Sequence, residues 1–471
     1  MLKFIPIYRV ALFVIALSLL TGIAPTMQAQ TESECTMNFG AGAALQFVLN
    51  NAPEGAVICL SRGFYFGPLL LAKSITLRGV PADAQGRLAT VFRPVESTQT
   101  GRPVFVVQGP NEMTVNLENL SIVDSKDFYG LIITHGKIVV NLKNSEIVHQ
   151  GNSGVIIDGG SQLNVSNSRI ADNLVYGILM LGSSQVTLTD SVVSGNKAGG
   201  VLAIEASSLA LINSQLKEND PYGAAMNGTS HATIQQSTIS ENTEIGLAVN
   251  ELSSALIEDS KIAGNGHAGL VAGGNAEVKI NRTEISNHGE IGLVVNESAG
   301  VSVIESKISR NRQLGVLVQG TGELQLTDTQ VIDNMPTDPT SQRRFSVGIV
   351  LNGSSVATLT RATITGNGFY GIALLESSQA EVTSSEINQN GADPVCVNVQ
   401  AVCTGVLLGA KSQLKMTDSR VANNVDWGVA AFLKKCGFNE DTFTGIINFQ
   451  GSNTFQGNNQ SGKHQGEVCL P

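Results

Sequence analysis

The sequence predicts an all-β solenoid built from coils of 23 residues. A Ser or Thr recurs every 23 residues, and most of these residues begin a phrase of the form Ser-x-Ile-x-x-Asn. The recurring positions are Ser145, Ser168, Ser191, Ser214, Ser237, Ser260, Thr283, Ser306 and Thr329. A fixed period of this size is typical of repeats in which one coil cannot bury its apolar face alone.

Each period contains three short apolar runs. In the coil from Val186 to Ile204, apolar residues alternate in two runs, and Gly200–Ile204 forms a third. Gly, Ser, Asn and Asp separate the runs, which favours tight turns over helices. We therefore predict three strands in every coil and about thirteen coils in the chain.

Residues 23 apart should stack in neighbouring coils, about 4.8 Å from each other. One column is almost entirely Asn, a residue that tolerates turn geometry and bonds neighbouring backbone, so we assign this column to structure. Its members are Asn173, Asn196, Asn219, Asn242, Asn265, Asn311 and Asn334, with His288 as an interruption. Another column, Lys261, Glu284 and Lys307, alternates in charge and supports the same register.

A third column, in the Gly-led strand, contains no polar residue. It includes Leu179, Leu202, Val271, Val294 and Leu317. The adjacent column is also apolar, and because strand residues alternate in direction, one of the two columns must point outward. The outward stripe is either covered by a loop or by the C-terminal segment, or it is a surface for a ligand or partner.

The N-terminal residues indicate export. Lys3 and Arg9 precede an apolar run from Val10 to Leu20, so residues 1–29 are interpreted as a secretory signal peptide. The run is too short for a comfortable bilayer span, and we expect no membrane span in the mature chain. We therefore expect a secreted or cell-surface protein, extracellular or periplasmic. The net charge of −10 makes nucleic acid and anionic membrane poor partners.

The six cysteines fall into three local pairs. An even number in an exported chain favours disulfides, and we predict Cys35–Cys59, Cys396–Cys403 and Cys436–Cys469. Zinc is the competing interpretation, but no Cys-x-x-Cys or His-rich spacing supports it. The sequence therefore predicts no metal site.

The N-terminal coil carries a family resemblance. An amphipathic helix at Ala44–Leu49 is followed by Pro53-Glu54-Gly55, Gly63-Phe64-Tyr65 and Ser74–Gly79. This order is similar to that of right-handed parallel β-helix proteins of the pectin lyase-like superfamily, whose first coil commonly runs helix, Pro-x-Gly, Gly-x-Tyr and Ile-Thr-Leu-x-Gly. With the repeats, the resemblance covers about residues 40 to 460.

The resemblance implies a right-handed parallel β-helix. Residues 35–95 would form the N-terminal helical cap and first coils, residues 96–432 the repeats, and residues 433–471 the last coil and a disulfide-linked C-terminal cap. The superfamily includes lyases, glycosidases, esterases, epimerases, adhesins and non-catalytic modules, so the resemblance implies no single activity.

Two insertions interrupt the period, at Met335–Phe345 and Gly391–Cys403. Both fall after the Asn position and before the Gly-led strand, in coils two steps apart, so they should overhang the same edge. We expect them to be candidate binding loops, because specificity is often placed on loops of a rigid scaffold. Their charged residues are Asp338, Arg343, Arg344 and Asp393. Surface decoration is the alternative interpretation.

Glu244, His267 and Glu290 are the strongest candidates for chemistry. Their spacing of 23 should stack them in consecutive coils, with the two glutamates roughly 9.6 Å apart. That separation is near the upper limit for the two carboxyl groups of an inverting glycosidase. The resemblance adds that polygalacturonase-like members place catalytic aspartates in the turn before such a strand. The alternative is another structural column of alternating charges.

The enzyme motifs of the family are missing. We find no Asn-Thr-Asp, adjacent Asp-Asp, Gly-His-Gly or Arg-x-Lys, and no Asp cluster for calcium beside a stacked cation. We therefore expect an exported, non-catalytic β-helix scaffold that binds a polysaccharide or a cell-surface protein, without a cofactor. The alternative is a polysaccharide-degrading enzyme, either an inverting glycoside hydrolase or a pectate-lyase-like enzyme, and only the latter would use calcium.

Overall fold

Each coil of the protein runs through three parallel strands joined by tight turns. In a representative coil these are Gln185–Thr189, Val192–Ser194 and Gly199–Ala203. Each strand pairs with the strand 23 residues later, as Val193 does with Leu216. The computed structural model describes residues 34–42, 44–95, 102–109, 112–335, 345–398, 401–463 and 466–471.

The first strands of the coils form sheet A. Its outer face is largely polar, whereas alternate residues point into the core. Its strands are Met37–Phe39, Ala56–Leu60, Ile75–Arg78, Met113–Glu118, Ile138–Lys143, Gln162–Ser166, Gln185–Thr189, Ser208–Ile212, His231–Gln235, Ser254–Glu258, Glu277–Asn281, Gly300–Ile304, Glu323–Thr327, Val356–Thr360, Gln379–Thr383, Gln413–Thr417 and Ile446–Gln450.

The second strands form sheet B, in which most strands have only three residues. They are Gly63–Gly67, Thr90–Pro94, Ser121–Val123, Glu146–Val148, Arg169–Ala171, Val192–Ser194, Gln215–Lys217, Thr238–Ser240, Lys261–Ala263, Glu284–Ser286, Lys307–Ser309, Gln330–Ile332, Thr363–Thr365, Glu386–Asn388, Arg420–Ala422 and Thr454–Gln456.

The third strands form sheet C, which contains the Gly-led strands. They are Leu69–Leu71, Phe105–Val107, Leu131–Ile133, Val155–Ile157, Tyr176–Met180, Gly199–Ala203, Tyr222–Met226, Ile245–Val249, Ala268–Ala272, Ile291–Val295, Leu314–Val318, Val347–Leu351, Tyr370–Leu374, Val406–Leu408, Val429–Ala431 and Val468–Cys469.

The solenoid has about 16 turns, because sheets B and C each contain 16 strands among the described residues. The expectation of about thirteen was therefore too low. The first coils depart from the 23-residue period: Thr76 and Asn116 are partners in adjacent strands although they lie 40 residues apart. Such irregular spacing hides the early coils from a period search.

The core is a set of apolar columns, one for each inward strand position. In sheet B one column runs through Val193, Leu216, Ile239 and Ile262, each at most 1% exposed. Full burial of one such side chain contributes about 1.5–3 kcal/mol. The predicted N-terminal cap is present as a minor element: helix Leu45–Asn51 buries Leu45 and Leu49 against the first coils.

Two polar ladders hold the turns on either side of sheet B. In the Ser ladder the hydroxyl of Ser214 accepts the Ser191 N–H at 3.1 Å and donates to Ile212 O. In the Asn ladder the side chain of Asn196 donates to Asn219 Oδ1 at 2.9 Å. The members of both ladders are buried, so these bonds satisfy polar groups that water cannot reach.

His288 takes the place of one Asn in this ladder. Its Nδ1 accepts the Asn265 N–H at 3.1 Å, and its Nε2 lies 3.1 Å from Ile262 O. Because a carbonyl oxygen only accepts, Nε2 carries the proton and the ring is neutral. The imidazole thus reproduces the acceptor and the donor of an Asn side chain.

All three predicted disulfides are present: Cys35–Cys59, Cys396–Cys403 and Cys436–Cys469. The first and third lie near the two ends of the solenoid, and the second closes the loop of the second insertion. Short helical segments also occur at Pro394–Asn398 and Lys434–Cys436. Within the described residues, no helix combines the length and apolar character needed to span a bilayer.

Candidate functional site

The predicted charged column lies in the turn that leads into sheet C. Glu244, His267 and Glu290 each directly precede a strand of that sheet. The His267 N–H donates to Glu244 O at 2.7 Å, and the Glu290 N–H donates to His267 O at 3.0 Å. The three residues therefore stack in consecutive coils.

The side chains of this column are not equivalent. His267 Nδ1 lies 2.7 Å from Glu290 Oε2, and the two side chains are 49% and 22% exposed. Glu244 is exposed to solvent. An ionised carboxylate only accepts hydrogen bonds, so Nδ1 is the donor of this pair. The column is thus an imidazole–carboxylate pair beside an exposed carboxylate.

This arrangement is poorly suited to inverting hydrolysis. The substrate bond and the attacking water must lie between the acid and the base. His267 belongs to the intervening coil and lies between Glu244 and Glu290 along the solenoid, where the sugar would have to pass. The described part of the chain also contains no group of three or more His, Cys, Asp or Glu side chains that could hold a metal ion.

A column of tyrosines begins the same edge of sheet C. The strand register places Tyr129, Ser153, Tyr176, Gly199 and Tyr222 in successive coils. A tyrosine therefore recurs on every second coil, and all three are half-buried. The next members of this column, beside the charged residues, are the apolar Ile245, Ala268 and Ile291.

Gly199 makes room for the tyrosine rings. The rings of Tyr176 and Tyr222 stack with centroids 6.5 Å apart and planes inclined by 24°. Gly199 has φ +139°, and a Cβ there would lie 2.4 Å from Tyr222 Cε2. Burial, followed by the hydrogen bond with Tyr176, raises the pKa of Tyr222 and keeps its phenol protonated. The two rings form a fixed aromatic platform.

A second aromatic group lies further along the same edge, at the base of the two insertions. Phe345 lies 5.8 Å from Phe369 and 5.7 Å from Tyr370, measured between ring centroids. Burial raises the pKa of Tyr370 to about 12, and the negative charge of Asp426 adds to the effect. Aromatic side chains thus border the charged column on both sides.

The predicted apolar stripe forms the floor beside this edge. Leu179, Leu202, Val271 and Leu317 are half-buried outward residues of sheet C, and Val294 is buried. Small side chains, Ala225 and Ala248, occupy the middle of the stripe, beside Tyr222. The floor is therefore lowest next to the aromatic platform.

The two interpretations of the stripe apply to different parts of it. Beyond Leu317, the outward residues Val350 and Leu407 pack with Cys396 and Cys403 of the second insertion. Phe438, from the C-terminal segment, packs against the same cluster. The stripe is thus covered toward the C-terminal end, whereas its half-exposed members extend from Leu179 to Leu317.

The candidate loop residues have different outcomes. Asp338, Arg343 and Arg344 lie outside the described residues. Asp393 is only 8% exposed, and its Oδ1 accepts the Val395 N–H at 2.9 Å. Its carboxylate therefore supports the short helix Pro394–Asn398.

The second insertion is held down by Lys463 from the C-terminal segment. Its Nζ donates to Cys396 O at 2.8 Å and lies 3.8 Å from the buried carboxylate of Asp426. Asp426 Oδ2 in turn accepts the Cys403 N–H at 2.7 Å. This contact was not predicted, because Lys463 lies far from the loop in sequence and outside the repeat.

A shallow polar cleft of about 350 Å³ lies elsewhere, at the turn between sheets A and B. Its charged residues include Arg361, Glu386 and Arg420. Arg361 pairs with Asp328 at 2.6 Å, and Arg420 pairs with Glu386 at 2.5 Å. The charges compensate each other across adjacent coils, as in the columns predicted to stabilise the stack.

Comparison with known proteins identifies the family. The family described as "Right handed beta helix region" matches residues 104–225, 222–341 and 346–462. The chain belongs to this family. The resemblance to the pectin lyase-like superfamily that the first coil and the repeats predicted is thereby confirmed for the right-handed β-helix.

Several solved structures are similar to this β-helix. The Azotobacter vinelandii mannuronan C-5 epimerase AlgE6 A-module is 15% identical with a TM-score of 0.42, and the match covers 68% of this chain and 88% of that chain. For the periplasmic alginate epimerase AlgG the values are 13%, 0.38, 89% and 84%. For the Dettilon tailspike protein (gp208) they are 11%, 0.41, 71% and 61%. No curated protein matches the chain.

Proposed function

We propose that the protein is an exported β-helix that binds an extended polysaccharide along the leading edge of sheet C. The observation that carries the proposal is the order of side chains along this edge. A tyrosine platform, a polar imidazole–carboxylate pair and a second aromatic group follow one another beside an apolar floor. Carbohydrate ligands combine apolar ring faces with hydroxyl groups, so a surface of this kind suits them.

The rigidity of the coil stack supports this proposal. Tyr176 and Tyr222 are two coils apart, roughly 9.6 Å along the solenoid at 4.8 Å per coil, which suits successive stacking positions on a chain ligand. His267 and Glu290 offer a donor and an acceptor for hydroxyl groups between the aromatic groups. Because the strands fix these side chains, little conformational entropy is lost on binding.

Export is supported by the three disulfides, which form and persist in oxidising compartments. An extracellular or periplasmic location accommodates both a free polysaccharide and a cell-surface one. The proposed signal peptide, residues 1–29, lies outside the described residues.

The test is a glycan array followed by titration of the glycan that binds. Tyr176→Ala should lower the affinity on the order of tenfold, because a stacking face is lost. Tyr176→Phe should retain most of the affinity, since the ring remains. Phe64→Ala is the matched control, because Phe64 is an exposed aromatic residue of sheet B. Equal binding by Tyr176→Ala and the wild type would contradict the proposed surface.

Hydrolysis is the second candidate function, favoured only by the stacking of Glu244 and Glu290 on either side of His267. The same glycan panel, read for newly formed reducing ends, tests it. An enzyme that used this pair would lose activity in Glu244→Gln but keep binding. No reducing ends from the wild type on any glycan that it binds would exclude hydrolysis and leave the binding function in place.

A further inference from the structure

The two ends of the solenoid are closed differently. At the N-terminal end, helix Leu45–Asn51 buries Leu45 and Leu49 over the first coils. At the other end, the last coil consists of Ile446–Gln450, Thr454–Gln456 and Val468–Cys469. Among the described residues, no helix or strand pairs with the outer edge of these three strands.

The core of the last coil is incompletely buried. Leu414, Met416 and Val421 of the preceding coil are at most 1% exposed. Their partners in the last coil, which are Ile447, Phe449 and Phe455, are only partly buried. The rings of Phe449 and Phe455 lie 5.1 Å apart and form an apolar centre at this end.

The edge strand also has unpaired backbone groups. The Ile446 N–H donates to Ser412 O in the preceding coil. Because successive residues of a strand direct their N–H and C=O groups to opposite sides, those of Ile447 and Phe449 point away from that coil. This is the template that an open sheet edge offers to another strand.

The same end lacks the charges that usually protect an open edge. From Thr442 to Gly462 the sequence contains no Asp, Glu, Lys, Arg or His. Charges do occur on the outer face of the preceding coils, as in the Lys415–Glu381 pair at 2.6 Å, directly beside Asn448. The last coil is therefore apolar in its centre and neutral at its rim.

We propose that this C-terminal end is a dimer interface at which two copies of the chain meet end to end. A two-fold contact brings each residue of a patch against the same patch of the partner, so any charge near the axis would meet its own like charge. A neutral surface with a free strand edge is the one that can pair with itself. The strands Ile446–Gln450 of the two copies would pair in antiparallel fashion.

Head-to-tail association does not fit the two ends. The helix Leu45–Asn51 covers the N-terminal end with a convex, partly polar surface, which offers no strand edge for pairing. The contact therefore closes after two copies and does not extend into a filament.

Sedimentation velocity of the full-length mature protein over a range of concentrations tests the proposal. The wild type should be a dimer. Asn448→Lys and Asn448→Glu should each weaken dimerisation on the order of tenfold or more, because Asn448 is the central, outward residue of the edge strand. A mixture of the two variants should recover a mixed dimer, since opposite charges then face each other.

Thr358 supplies the matched control. It occupies the same outward column of sheet A, three coils from the end, so Thr358→Lys should leave the dimer intact. Melting curves establish that each variant remains folded. A monomeric wild type, or dimers of both Asn448 variants that are as stable as the wild type, would overturn the proposal. Filaments would also contradict it.

Discussion

At the scale of single residues, His288 shows how one substitution in a ladder adds a pH response. Burial lowers the pKa of its imidazole from the ordinary 6.5 to about 4, although its two backbone hydrogen bonds act in the opposite direction. In the folded protein Nδ1 must accept the Asn265 N–H, and a protonated ring has no lone pair left for it.

The sign of the effect follows from the two pKa values. Between pH 6.5 and about 4 the unfolded chain binds this proton and the folded protein does not, so stability falls as the pH is lowered through this window. The loss is on the order of 3 kcal/mol. His288→Asn should remove this part of the pH dependence. Urea unfolding at pH 7 and pH 4.5 measures it, and an unchanged pH dependence in the variant would contradict the assignment.

Residue types alone predicted part of the candidate site. The spacing of Glu244, His267 and Glu290 was sufficient to predict their stacking. It could not show that His267 pairs with Glu290, because side-chain orientation depends on local packing. The tyrosine column was missed because Tyr129 precedes the regular repeats, and Gly199 hides the relation between Tyr176 and Tyr222 unless alternate coils are compared.

At the scale of elements, the second insertion acts as a cover for the apolar stripe. The loop carries Cys396 and Cys403, which pack on Val350 and Leu407 of sheet C. Lys463 and Asp426 fasten it from two other parts of the chain. The insertion therefore has a structural role next to the proposed binding edge.

Removal of the Cys396–Cys403 disulfide should loosen this cover. Closure of a loop this short contributes about 2.5 kcal/mol to its order in the chain-entropy account. We expect the double variant Cys396→Ser and Cys403→Ser to bind an apolar fluorescent dye more strongly, because Val350 and Leu407 become accessible. The melting temperature of the coil stack should change little. Unchanged dye binding would show that Lys463 and Asp426 hold the loop without the disulfide.

At the scale of the whole molecule, stability should depend on where in the stack a coil is damaged. Each coil contacts only its neighbours, so a central coil supports the structure on both sides, whereas the last coil supports it on one side. Ile239 is 1% exposed in the middle of sheet B, and Ile447 is partly buried in the last coil.

Ile239→Asp should therefore cost more than Ile447→Asp. A carboxylate at position 239 would be buried without a partner, at a cost of about 3 kcal/mol or more. At position 447, water reaches the side chain and the cost should be smaller. Chemical unfolding followed by circular dichroism compares the two variants. Equal destabilisation would mean that the last coil is covered, for instance by a second copy of the chain, which the dimer experiment detects independently.

The sequence by itself determined the coil, its three strands, the two polar ladders and the disulfide pairs. Periodicity suffices for these features, because each is a contact between residues at fixed spacing in neighbouring coils. The early coils escaped this logic, since their spacing varies, and so did contacts from outside the repeats, such as Lys463 with the second insertion.

Only the tertiary structure decided which part of the apolar stripe is covered, which glutamate His267 pairs with, and how the two ends of the stack differ. These features depend on chain segments that return from a distance or on side-chain packing, and no period encodes either. The repeat therefore specified the scaffold, whereas the aromatic edge and the open last coil became visible as surfaces only when the coils were stacked.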